Sequence, residues 1–340
     1  MKIADMHCDT ISAIWESRKT DHPQRLCQNS LHIDIQKMKK SGYLVQNFAM
    51  YIDLKKGIDP FTYVTELIDV FYDELGKNEN DICVAKTYEE IFENERRGKM
   101  SALMTVEEGG CCKGEIENLE TLFKRGARMM TLTWNYPNEL ASPNIFIRDV
   151  QTQNGVEKGR IIEDDNGFGI FDGAKGLSPK GFLFVERMEE LGMIIDVSHL
   201  SDAGFWDIAK NTKKPFVASH SNARTLCGHC RNLTDDMIRT IADRGGVIGL
   251  NFYGRFLNEK NDSYSGVARM AAHIRHMLNV GGRECIGLGS DFDGIDGELE
   301  MQDCSQIHKL VEELERQHFT SGELENILYR NVMRVYRELL

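Results

Sequence analysis

The sequence predicts an α/β fold, a closed (β/α)8 barrel of the TIM type, and three observations carry that reading. Eight short apolar runs with strand character alternate with stretches of helical periodicity along the 340 residues, the pattern of parallel βαβ units wound right-handed. Polar residues able to bind metal stand at the ends of runs one, three, five, six and eight. In an open sheet those ends would be strung along a line, whereas in a barrel they ring one mouth. Nothing resembling a linker divides the chain, so one barrel is expected over residues 1–340, with a polar insertion at about 142–175 on the face that carries the polar ends.

The runs cover residues 2–9, 44–51, 101–107, 128–134, 193–199, 216–220, 247–252 and 286–291. Each is short and apolar, the signature of a buried strand. The first begins with Ile3 and Ala4 and ends in Met6-His7-Cys8-Asp9. Alternation along a strand puts His7 and Asp9 on one side, close enough to share an ion. Residues 115–126 place Ile116, Leu119, Leu122 and Phe123 on one helical face. Residues 179–191 open with Ser178 as a cap and Pro179 in the first turn, followed by Phe182, Val185, Met188 and Leu191 at helical spacing. A further helix begins at Thr234-Asp-Asp-Met and runs toward Gly245-Gly246. Residues 142–175 break the pattern with polar and glycine-rich sequence; following the fourth strand, they suit a lid, a subunit contact or an insertion without a role.

Composition narrows the function classes. A hydrophobic content of 41% supports a large core. No run of about 18 apolar residues exists, so no membrane span is expected. The first residues lead straight into a strand and lack the basic and apolar regions of a secretory signal, which predicts a cytoplasmic location. A net charge of −12 argues against nucleic acid as a partner. The nine cysteines are scattered, several within apolar runs, and read as reduced, buried small hydrophobes. Cys227-Gly-His-Cys230 has CxxC spacing, but no second pair completes a structural zinc site.

His7, Asp9, Glu107, His199 and His220 form a nitrogen–oxygen donor set that suits zinc, with manganese or iron as alternatives, and does not suit calcium. A lone His-x-Asp is more often structural, and Ser198-His199 and Ser219-His220 can each be buried histidines bonded to backbone. The joint pattern is what points to metal. Five donors exceed the needs of one catalytic zinc, and two ions sharing Glu107 would use all five. Glu108 competes with Glu107 for that place, and spacing does not choose between them. Asp291, in Gly287-Leu-Gly-Ser-Asp-Phe-Asp-Gly, is positioned to take a proton from a metal-held water and return it to a leaving group. Asp293 shapes the turn. Arg231 can clamp a substrate carboxylate, or serve as a structural salt bridge.

Together these segments resemble the renal or membrane dipeptidase family, the zinc dipeptidases of peptidase family M19. The resemblance runs through Asp5-Met-His-Cys-Asp-Thr, Leu103-Met-Thr-Val-Glu, Gly126-Ala-Arg-Met-Met-Thr-Leu-Thr, Leu191-Gly-Met-Ile-Ile-Asp-Val-Ser-His, Ala218-Ser-His-Ser, Cys230-Arg-Asn-Leu and Gly289-Ser-Asp-Phe-Asp-Gly. It implies a metal-dependent hydrolase with two zinc ions held by His7, Asp9, bridging Glu107, His199 and His220, and it favours Glu107 over Glu108. It places the substrate-carboxylate arginine at Arg231 and the active-site aspartate at Asp291. The implied reaction is attack of a metal-bridging hydroxide on the amide bond of a dipeptide, with a C-terminal D-residue tolerated. The family's habit also implies a homodimer. One position departs: where mammalian members carry a histidine that binds substrate, this chain has Trp134, followed by Asn135. Tryptophan donates one N–H and accepts nothing, so either Asn135 or another donor takes its place on the substrate, or substrate handling differs; Asn135 is the candidate. The departure leaves two rival readings: a metal-dependent amidohydrolase acting on a non-peptide amide, N-acyl amino acid or lactam, and a catalytically silent metal-dependent sensor.

Overall fold

The computed structural model describes residues 1–145, 147–152, 155–161, 175–259 and 262–340. Its strands are β1 (Ile3–Asp5), β2 (Tyr43–Tyr51), β3 (Ile82–Val84), β4 (Met100–Glu107), β5 (Ala127–Thr131), β6 (Ile147–Thr152), β7 (Gly155–Ile161), β8 (Ile194–Asp196), β9 (Ile248–Leu250) and β10 (Ile286–Leu288). A curled parallel sheet runs β8-β5-β4-β2-β1-β10-β9. The predicted sixth strand joins its two ends: Asp196 bridges Val217, and Ala218 bridges Ile248, both parallel. The sheet is therefore the TIM barrel the sequence predicts. The carbonyl of Ser219 packs so tightly at this seam that a Cβ on Gly289 would lie 1.7 Å from it, which explains the glycine there.

The longest pairing is β2 with β4, in register from Val45↔Ser101 to Tyr51↔Glu107. Both strands are almost wholly buried, as parallel strands covered by helices are. The three predicted helices form. Ile116–Lys124 buries Leu119 and Leu122. Pro179–Leu191 is capped by Ser178, whose hydroxyl accepts from the Gly181 amide, and ends at left-handed Gly192. Asp235–Asp243 is capped by Thr234. The final helix, Asn331–Leu339, closes the N-terminal end of the barrel. Val332, Val335 and Tyr336 pack with Ala4, Met6, Leu103, Met129, Ile194 and Val247, and Arg334 donates to the carbonyls of Gly245 and Glu284, just before β9 and β10.

Three expectations are corrected. The ladders are shorter than the apolar runs, so His7, Asp9, His199, His220 and Asp291 lie in turns beyond their strands; only Glu107 sits within one. The alternation argument for His7 and Asp9 is therefore not what brings them together. Those turns bend sharply, with His199 at φ 66° and Asp291 at φ 60°, in a region that side chains adopt only when surroundings enforce it. β3, too short to show a period, pairs with the start of β4. Within the polar insertion, β6 and β7 form an antiparallel hairpin; residues 146, 153–154 and 162–174, and with them part of the expected lid or contact, lie outside the described residues. All nine cysteines are free.

One buried histidine away from the barrel mouth gives the fold a pH dependence. His273 Nδ1 accepts from the Ala223 amide at 3.1 Å, and Nε2 faces the Leu257 carbonyl at 3.0 Å, so the ring is neutral. Burial pushes its pKa down to about 4. Below the ordinary histidine value the unfolded chain takes up a proton that the folded one refuses, so stability is full above pH ~6.5 and falls toward pH ~4, by up to about 3 kcal/mol. Urea unfolding between pH 7 and 4.5 should show a shallower acid decline for His273→Gln than for wild type; parallel declines would exclude His273 as the source.

Candidate metal centre and active site

The turns following β1, β8 and β10, the segment carrying His220 and the end of β4 converge on one buried cluster. Glu107 is its centre, and its two oxygens face different partners. Oε1 lies 3.1 Å from His199 Nε2 and 3.4 Å from His220 Nε2, while Oε2 lies 3.4 Å from His7 Nε2. His7 Nε2 is also 3.4 Å from Asp9 Oδ2 and 3.8 Å from Asp291 Oδ1. The nitrogens of His199 and His220 stand 3.0 Å apart. His7 Nε2 and Asp9 Oδ1 are buried without a hydrogen-bond partner. Such groups need a ligand to be tolerated in the interior, and a divalent cation between these donors satisfies them all. The residues fit a metal.

Charge leads to the same conclusion. Burial opposes ionisation of Glu107, yet facing His7, His199 and His220 holds its carboxyl well below the usual range. Burial alone would lower the His7 pKa, but Glu107 and Asp9 outweigh it and drive it well above the ordinary value. The cluster demands positive charge at its centre. His199 and His220 are held neutral chiefly by burial, the state in which imidazole binds metal. Asp291 is raised, first by burial, and its Oδ2 accepts from Asn251 Nδ2 at 2.8 Å. Gly294 must lack a side chain, since a Cβ there would sit 2.1 Å from Asp9 Oδ2.

Of the two glutamates, Glu107 is the one that faces the three histidines. Glu108 turns away at φ 101°. Its carboxylate accepts from the amides of Trp134 and Gly110 and from the Asn138 side chain. It thereby anchors the loop that carries Trp134 and Asn135. Asn135 lines the cavity above the cluster, and its Oδ1 also lies 3.0 Å from His199 Nδ1, where it can orient that ring. Asp293 shapes its turn as expected, accepting from the Thr10 hydroxyl at 2.5 Å and the His32 amide at 2.6 Å.

Above the cluster opens a cavity of about 480 Å³. Asp9, Glu107, His199 and Asp291 line it, and Trp134 and Tyr51 form part of one wall with ring centroids 5.0 Å apart. Arg231 is not on that wall. It is 1% exposed, its Nη2 donates to the His220 carbonyl at 3.3 Å, and its Nε and Nη1 have no acceptor. Sequence reasoning missed Asp5, Asp196, Ser219 and Asn251, which buttress the cluster from behind. Asp5 and Asp196 each close the end of a strand by accepting the amide two residues on and the amide of Ser290 or Ser219. Asp5-x-His7 and Asp196-x-x-His199 were the available signal.

Comparison with known proteins identifies the lineage. The model of the membrane dipeptidase family, peptidase family M19, matches residues 1–339. The chain belongs to this family. Among relatives, an uncharacterized dipeptidase of Schizosaccharomyces pombe is 31% identical over 320 residues, 90% of this chain and 72% of that one. A protein from the pqqA 5' region of Klebsiella pneumoniae is 33% identical over 247 residues, 72% of this chain and 84% of that one. Of solved structures, a metallo peptidase from Rhodobacter sphaeroides, liganded with a phosphinate mimic of L-Ala-D-Ala, superposes with a TM-score of 0.86 at 20% identity, covering 100% of this chain and 99% of that one. Dipeptidase AC, also of family M19, gives 0.83 at 21% identity, covering 100% and 98%. As an M19 member the chain is a metal-dependent peptide-bond hydrolase. Among the described residues no helix of this family member is long and apolar enough to cross a membrane.

Proposed function

We propose that the chain is a two-zinc dipeptidase that hydrolyses the amide bond of dipeptides and accepts a C-terminal D-residue. The observation that carries this reading is the division of Glu107: one oxygen faces His199 and His220, the other His7. One ion would take His7 and Asp9, the other His199 and His220, with Glu107 shared. When bound, a zinc pair supplies a water acidic enough to attack at neutral pH and polarises the scissile carbonyl. Asp291, at the cavity floor, takes the proton of the attacking water on its carboxylate and returns it to the departing amine. Arg231, buried behind the cavity wall with Nε and Nη1 lacking an acceptor, supplies the cation for the substrate's C-terminal carboxylate. The phosphinate mimic of L-Ala-D-Ala on the Rhodobacter sphaeroides neighbour supports the D-residue.

The test is zinc content together with turnover of matched L-L and L-D dipeptides and N-acyl amino acids. About two zinc ions per chain, L-D cleavage, loss to chelator and recovery with zinc are expected. Cleavage of N-acyl amino acids alone would transfer the activity to a non-peptide amide, and absence of metal uptake would end the proposal. Arg231→Ala should raise KM for free-carboxylate dipeptides roughly ten- to hundred-fold, the worth of hydrogen bonds to a charged group. An equal rise for dipeptide amides would remove the clamp. The reading includes a homodimer, for which exposed Phe182, Leu183 and Trp206 are contact candidates, checked by light scattering.

A further inference from the structure

Asp196 is a buried carboxylate at the end of β8 whose partners are all donors. Its Oδ1 accepts from the amides of Ser198 at 3.0 Å and Ser219 at 2.8 Å. Its Oδ2 accepts from the Thr131 hydroxyl at 2.7 Å and the Ser219 hydroxyl at 2.5 Å. Ser219 Oγ also lies 2.7 Å from His220 Nδ1. A hydroxyl has one proton to give, and that of Ser219 goes to Asp196. Toward His220 the same oxygen can only accept, so the ring proton sits on Nδ1 and the lone pair on Nε2, the nitrogen aimed at Glu107. The other ring near Glu107 Oε1 is backed differently: His199 Nδ1 meets the neutral amide oxygen of Asn135.

We propose that Asp196 and Ser219 are positioning residues, a carboxylate–hydroxyl relay that locks His220 in its metal-binding tautomer and sets the affinity of the site for zinc. This rests on the reading of His220 as a ligand. The relay acts in two ways. It removes the competing tautomer, in which Nε2 would carry a proton and bind nothing, and it passes the negative charge of Asp196 to the ring, strengthening Nε2 as a donor. The site is thereby asymmetric, with one histidine backed by a charge and one by an amide.

Two measurements test the relay without using activity. Histidine nitrogen NMR on the metal-free wild-type protein should show His220 protonated at Nδ1; protonation at Nε2 would overturn the proposal and needs no variant to fold. Zinc competition against a chromophoric chelator should then show Ser219→Ala binding one ion about 10- to 100-fold more weakly than wild type, with Asn135→Ala losing less. Affinity within twofold of wild type in a folded Ser219→Ala would equally overturn it. His220→Ala separates the two readings. Loss of an ion there with unchanged affinity in Ser219→Ala rejects the relay alone, whereas retention of both ions rejects the ligand assignment and the relay with it.

Discussion

Asp291→Asn is expected to keep its metal and lose turnover by about 10²–10⁴-fold, the usual contribution of a positioned proton-transfer group. Asparagine preserves the shape and can still meet Asn251 Nδ2 through its oxygen, but it cannot take up a proton. Asp291 Oδ1 stands 3.8 Å from His7 Nε2, near the metal cluster but at the edge of the donor set, and burial raises its pKa. A carboxylate that acts as base works only when ionised, so kcat should rise with pH through its titration in wild type and lose that rise in the variant. Zinc content measured on the same sample separates the outcomes. Metal loss would make Asp291 a ligand, and wild-type turnover would deny it any part in proton transfer.

Glu107→Ala should have the larger structural consequence. Both oxygens are used, so the substitution removes a donor from each proposed ion and the main charge partner of His7. Zinc content is expected to fall well below one ion per chain, with turnover reduced at least 10³-fold by loss of the metal-supplied nucleophile and polarisation. Glu108→Gln provides the contrast. Glu108 is as buried as its neighbour but serves the Trp134 loop, so its zinc content should match wild type while substrate binding weakens. If the two variants exchanged these phenotypes, the division of labour read from their geometry would be reversed.

The residues that cluster at the barrel mouth were legible in the sequence because each ends or follows an apolar run, and apolar runs mark buried strands whatever their exact ends. The ends were not legible. The regular ladders end at Asp5, Asp196 and Leu288, with isolated bridges beyond, such as that between Cys8 and Phe292, and hydropathy does not register that change. The choice between Glu107 and Glu108 depends on a left-handed bend that neighbouring identical side chains cannot reveal. Arg231 reads in sequence as a substrate clamp or as a structural salt bridge beside an acidic helix start. Burial of its guanidinium follows from packing against Phe256, whose ring lies 5.3 Å from it, a contact between distant segments. The contact of Asn135 with His199 was not legible, because a missing histidine drew attention to the residue only as a partner for substrate.

The closure of the barrel also bears on when the chain can acquire its activity. β1 pairs with β10, and Ser290 donates to Asp5 across 285 residues of sequence. His7 and Asp291 therefore come together only when the last strand of the barrel joins the first. Pairings of such range are slow to form and leave strand edges exposed meanwhile. A chain in which β10 has not joined β1 therefore cannot bring Asp291 beside His7. The site is in this sense a product of closure and does not exist in any part of the sheet alone.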